Sequence, residues 1–345
     1  MSSQRHHLLN INGVRIHAVE EGRGPLVLLL HGFPELWYSW RHQLPALAAA
    51  GFRAVAIDQR GYGRSSKFMQ PDAYRITRLV DDAVGVVKAL GETTAVVVGH
   101  DWGAPVAWTS AWLHPEVFRG VVGLSIPFSG RGLIALPGSP FGEIRPETLH
   151  GDLAGPGNDF YQSYFGKLGA VIEEMEEDVR GWLRAGMYSL SGEALGPAGI
   201  DFAAIDPVAL IRGGPLCIPH GTRMKDRFVM PAALPAWLGE ADLDFFVAEY
   251  ERTGFGGGLM YYRNLDQDWE DLAEQAAMPL IQPALYVSGD LDICFSWGQE
   301  ALRRAQERMP NYRGSRILKG CGHWTQQERP EETNRLLIEF LKSLG

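Results

Sequence analysis

Short apolar runs alternate with longer amphipathic stretches along the first third of the chain, and the same rhythm returns near its end. The runs at 26–30, 53–57, 94–98, 121–126, 283–288 and 315–318 are too short to be core helices and read as strands. Leu26-Val27-Leu28-Leu29-Leu30 is continuously apolar, as a strand buried on both faces must be. Two further strands, 8–11 and 14–20, flank Asn12-Gly13, a hairpin dipeptide. Between the strands lie predicted helices at 35–50, 79–90, 105–112, 297–308 and 331–344. Pro45 predicts a kink in the first of these, and Gly51 and Gly91 predict helix stops. Strands alternating with helices imply an α/β protein with a doubly wound, mostly parallel sheet.

The rhythm breaks at residue 129. Residues 129–158 are rich in Gly and Pro and show no period, so they read as a long connection. Residues 159–269 are helical in pattern, with segments at 161–168, 171–190 and 242–253. A second Gly/Pro-rich interval, 192–235, interrupts them. The expected organisation is a core of 1–128 and 270–345 with an inserted all-helical lid over 129–269. Both halves of the sheet are needed for one core, which makes the insertion a lid and not an independent domain.

Composition narrows the function. The 345 residues carry a net charge of −9, which argues against a nucleic-acid partner, since that needs a basic face. The three cysteines, Cys217, Cys294 and Cys321, are odd in number and far apart. No metal site is expected from that spacing, and a reducing, cytoplasmic setting is favoured. The first fourteen residues hold no apolar run of signal-peptide type, and no run is long enough to span a bilayer, so no stable membrane insertion is expected.

The chemistry centres on Gly99-His100-Asp101-Trp102-Gly103-Ala104. A strand precedes it, a helix follows, and Gly stands two places before and after Asp101. That is the spacing of a nucleophile elbow, with Asp where Ser is usual. In an open parallel sheet, reactive groups gather at the carboxyl ends of strands. His31-Gly32-Phe33-Pro34, Asp290, Asp292 and His323 all fall there. The order of nucleophile, acid and histidine is that of the α/β-hydrolase triad.

Seven segments together resemble the soluble type of α/β-hydrolase-fold epoxide hydrolase. They are HGFP (31–34), DQRGYGRSS (58–66), GHDWGA (99–104), FYQSYF (160–165), YYRN (261–264), GDLD (289–292) and GHW (322–324). They occur in the family's order over nearly the whole chain. The resemblance implies hydrolysis of a small apolar epoxide by water to a vicinal diol, without a cofactor, in a monomer or homodimer.

The residue types suit that reaction. A carboxylate with a pKa near ~4 is ionised at neutral pH, so Asp101 needs no base to attack an sp3 carbon. His323 is then free to activate water against the resulting ester, oriented by a second carboxylate. Motif position favours Asp292 over Asp290 for that acid. The backbone N–H groups of Phe33 and Trp102 are the expected oxyanion donors. The basic leaving oxygen needs a proton donor, and the resemblance places lid tyrosines at Tyr161 and Tyr262. Tyr261 is expected to point away from Tyr262, whereas Tyr164 would share a helical face with Tyr161. Phe33, Trp102, Phe128 and Gln162 are the expected substrate-binding residues, and Phe33-Pro34 is a candidate cis peptide. His31 and His100 are read as organising backbone. The competing readings are a haloalkane dehalogenase, which shares the Asp nucleophile, and a ligand-binding member without catalysis. Phe33 and the paired tyrosines favour the epoxide, and the absence of Ser at the elbow disfavours a serine hydrolase.

Overall fold

A computed structural model describes residues 4–345; the first three residues of the N-terminal segment lie outside the described part. Its centre is a sheet of eight strands: β1 (Arg5–Ile11), β2 (Val14–Gly22), β3 (Leu26–Leu30), β4 (Arg53–Ile57), β5 (Ala95–His100), β6 (Phe118–Leu124), β9 (Ala284–Gly289) and β10 (Tyr312–Leu318). A separate short pair, β7 (Asn158–Phe160) and β8 (Cys217–Pro219), lies in the inserted segment. The strand order is β1-β2-β4-β3-β5-β6-β9-β10. Within this sheet, among the described residues, only the β1–β2 and β2–β4 pairings are antiparallel. The first is closed by the expected Asn12-Gly13 turn, with both residues at positive φ.

Period-two alternation divides the core. Leu28, Val55, Val97 and Val121 face one layer, packed with the helices Ile76–Ala89 and Gly103–Leu113. Leu29, Ala56, Val98 and Val122 face the other, packed with Gln43–Ala49 and Pro330–Lys342. The central strands are therefore buried on both sides, which is why their sequence shows no polar alternation.

Three local expectations change. Residues 35–50 form a 3-10 turn, Trp37–Trp40, and then a helix from Gln43 to Ala49. Pro45 sits in the first turn of that helix, where no N–H is needed, so it starts the helix and does not kink it. Residues 171–190 split into Gly169–Glu177 and Val179–Ser189, because the Asp178 side chain accepts from Gly181 N–H and starts a new helix. Residues 297–308 hold two short helices, Gln299–Arg303 and Ala305–Arg308, instead of one, after another that ends at Trp297.

The insertion between β6 and β9 is not all-helical. Phe160 pairs with Cys217 and Asn158 with Pro219 across β7 and β8, holding together two stretches far apart in sequence. The first Gly/Pro-rich interval also contains a helix, Pro146–Ala154. Among the described residues no helix is long and apolar enough to cross a membrane.

Candidate active site

The elbow follows from two close backbone approaches. A Cβ on Gly99 would stand 1.9 Å from the Gly103 carbonyl oxygen, and one on Gly103 would stand 2.0 Å from that of Leu30. Only glycine lets the helix and its neighbouring strand pass so near. Asp101 is left at the apex with φ +47°, a conformation that costs a non-glycine residue free energy and is held by its surroundings. A Cβ on Gly32 would lie 2.3 Å from Asp101 Oδ1, so that glycine leaves room for the carboxylate. The Phe33 N–H donates to Oδ1 at 2.7 Å. The Phe33-Pro34 peptide is cis. The Trp102 N–H, the other expected donor, makes no hydrogen bond to the resting carboxylate.

The second carboxylate oxygen, Oδ2, lies 3.5 Å from His323 Nε2. His323 Nδ1 faces Asp292 Oδ1 at 3.1 Å. Ser125, at the end of β6 with φ +71°, donates its hydroxyl to Asp292 Oδ2 at 2.5 Å and stands 2.9 Å from His323 Nδ1. Burial alone would drive the His323 imidazole toward neutrality. The Asp292 charge and hydrogen bonds to Asp101 and Asp292 outweigh that and hold its pKa well above the ordinary 6.5. Burial disfavours the Asp292 charge too, but His323, Ser125 and the Cys294 N–H keep its carboxyl below the usual range. Asp290 faces elsewhere: it accepts from Gly320 N–H at 2.7 Å and pairs with Lys319.

A cavity of about 620 Å³, including its open mouth, lies over Asp101 and His323. Tyr161 and Tyr262 line it from the insertion, their ring centroids 6.0 Å apart. Burial pushes both phenols well above their ordinary pKa, so both are protonated donors at neutral pH. The rest of the wall is mostly apolar, with Phe165, Trp182, Leu216 and Phe228 supplied by the insertion.

Residues 25–169 match the family model described as alpha/beta hydrolase fold. The chain is 58% identical to Epoxide hydrolase B of Mycobacterium tuberculosis, with 99% of each chain covered. The chain belongs to the α/β-hydrolase-fold epoxide hydrolases. Two solved structures agree. One, an epoxide hydrolase from an endophytic Streptomyces, superposes with a TM-score of 0.89 at 49% identity, covering 99% of this chain and 96% of that one. The other, Epoxide Hydrolase A from Mycobacterium thermoresistibile, gives 0.85 at 39% identity, covering 99% and 98%.

In this member of the epoxide hydrolases, the remaining candidates separate by contact. Tyr261 donates to the Arg60 carbonyl at 2.9 Å, and Tyr164 donates to Glu174 Oε2 at 2.5 Å; neither lines the cavity. Phe128, expected against the substrate, does not line it either. Its ring packs edge-on to Trp112 and Trp108, because the chain leaving β6 turns it back onto the elbow helix. Gln162 and Trp102 act from behind the wall. The Gln162 Nε2–H donates to Tyr161 Oη at 2.9 Å, and the Trp102 ring stands edge-on to Tyr262 at 5.1 Å. Phe33 does line the cavity.

Several contributors carried no sequence signal strong enough to single them out. Ser125 is one. Glu35 is another: it is fully buried and accepts from Gly32 N–H, His100, Gln326 and Gln327, which tie the oxyanion turn to the elbow and to the segment after His323. Burial opposes its charge, but His100 and the Gly32 N–H hold its carboxyl down to about 2. His100 reaches the His323 carbonyl with its other nitrogen, at 2.8 Å. The ligating atoms of Asp292, Cys294 and His323 lie within 4.8 Å of one another. Asp292 Oδ1 is already engaged with His323 Nδ1 and the Cys294 backbone N–H, and burial together with the Asp292 charge pushes the Cys294 thiol up to about 12, which disfavours the thiolate a metal would need.

Proposed function

We propose that this site hydrolyses small apolar epoxides to vicinal diols through an ester on Asp101. The observation that carries the reading is that Asp101, His323 and two protonated phenols surround one apolar cavity, with Oδ1 of Asp101 already taken by the Phe33 N–H. Oδ2 is then the attacking atom. It bonds to an epoxide carbon, the carbon–oxygen bond of the ring breaks, and a phenol proton from Tyr161 or Tyr262 passes to the departing oxygen. Gln162, donating to Tyr161 Oη, leaves that phenol's own hydrogen for the substrate.

Ester formation removes one of the two negative charges beside His323. The imidazolium loses a partner while a phenolate has been created, so the proton moves from the first to the second. The neutral imidazole takes a proton from water, and the hydroxide attacks Cγ of Asp101. The oxyanion forms on Oδ1, with the Phe33 and Trp102 N–H groups as its donors. Collapse breaks the Cγ–Oδ2 bond, and the released alkoxide takes the proton of the new carboxyl group. The cycle closes with Asp101 ionised, His323 charged and both phenols protonated, as in the resting site. The partners on this reading are an apolar epoxide and water.

The test is a single turnover of excess protein on styrene oxide in oxygen-18 water. The first diol should carry unlabelled oxygen from Asp101. Label entering that first diol directly would overturn the ester.

A further inference from the structure

The loop that carries His323 is held by a group outside the triad. Glu328, at the end of the short helix Thr325–Glu328, turns its buried carboxylate back toward the loop. Its Oε2 accepts from Gly322 N–H at 2.8 Å and its Oε1 from Trp324 N–H at 3.0 Å. These two residues flank His323. Its Oε2 also accepts from Gly192 N–H, at 2.9 Å, and Gly192 belongs to the insertion. Further bonds join the same two pieces of chain: His323 N–H donates to the Leu190 carbonyl at 2.9 Å, and Trp324 Nε1–H to that of Met187 at 2.7 Å. The backbones touch without room for side chains, since a Cβ on Gly322 would stand 2.4 Å from Gly192 N, and one on Gly192 would stand 2.5 Å from the Gly320 oxygen.

We infer that Glu328 is a positioning residue for His323, and that it makes the water step depend on the docking of the 187–192 segment of the insertion. The inference rests on the reading of His323 as the base of that step. Asp101 is positioned by the elbow glycines and the Phe33 N–H, and its one contact with the His323 loop is the 3.5 Å approach of Nε2 to Oδ2, so ester formation leans far less on Glu328 than ester hydrolysis does. A charged acceptor for three backbone N–H groups has no neutral substitute of the same shape. Glutamine keeps one oxygen and turns an NH2 group toward the remaining donors.

Glu328→Gln tests this by rapid-quench mass spectrometry of the intact protein with styrene oxide; burial raises the Glu328 carboxyl to about 7, so the comparison is made above that pH, where the carboxylate is ionised. Loss of the clamp should slow ester hydrolysis ~10–100-fold, so that the ester accumulates, while ester formation keeps its wild-type rate. Gly192→Ala breaks the clamp from the insertion side and should shift the balance the same way; it decides the matter if Glu328→Gln does not fold. Equal loss in both steps, or no change in hydrolysis, would overturn the proposal. Absence of any ester even on His323→Gln would overturn the ester reading and this inference with it; ester on His323→Gln with Glu328→Gln and Gly192→Ala unaltered overturns this inference alone.

Discussion

The two walls of the cavity are built on opposite plans. The sheet side carries charge, and every charged group there is bound several times over: Asp101 by the Phe33 N–H and His323, and Asp292 by Ser125, Ser288, Cys294 N–H and His323. The insertion side carries neutral phenols among apolar rings, and the Tyr161 hydroxyl has one side-chain partner, Gln162. The difference follows from solvation. A buried charge is tolerated only with its hydrogen bonds supplied in advance, and strand ends and glycine turns supply them. A phenol can stay neutral in an apolar wall and give its proton when an alkoxide begins to form. On the proposed mechanism the attacking wall is thus fixed, and the protonating wall needs only to be near.

The sharpest way to break this comparison is to remove the charge from the fixed wall. Asp101→Asn should lower diol formation on the order of 10^4-fold or more, read as steady-state turnover of styrene oxide. The next two changes should separate the walls. Tyr161→Phe combined with Tyr262→Phe should slow ester formation ~10²–10⁴-fold without accumulation of ester. His323→Gln should leave ester formation intact and stop its hydrolysis, so that ester builds up to the protein concentration in quenched samples. If both sets of variants slowed the same step, the division between the walls would fail.

A smaller effect lies in the titration of His323. Its folded pKa is raised above 6.5, so the charged imidazolium contributes stability that is fully present below about 6.5 and is lost as pH rises through the raised folded value. Asp101→Asn removes one of the bonds that raise it, and the imidazole's NMR titration midpoint should move down. An unmoved midpoint would mean that Asp101 does not help to hold that proton. The smallest expected effect is that of Phe128→Leu. Because Phe128 packs on Trp108 and Trp112 and not in the cavity, kcat/KM should stay at its wild-type value while stability falls by about 1 kcal/mol in denaturant unfolding.

Local spacing carried the elbow, the HGFP turn and the Gly-His-Trp segment, because each is a demand on a few neighbouring residues: glycine where backbones meet, a reactive side chain at the apex. It did not carry Phe128, which follows a strand end as a pocket residue would but turns toward the elbow helix. Nor did it carry β7 and β8. Three-residue strands lack a readable period, and their pairing joins positions nearly sixty residues apart. Ser125 and Glu328 were silent for a related reason. A serine or glutamate beside a motif is ordinary, and only its contacts make it specific.

The alternation of apolar runs and the glycine positions were enough for a doubly wound sheet with an aspartate at its elbow, since both express short-range sterics and burial. That Tyr164 turns to Glu174, that Phe128 turns onto the elbow helix, and how the insertion grips the histidine loop were decided in the folded chain. Those outcomes depend on contacts between separate segments, and no local preference encodes them.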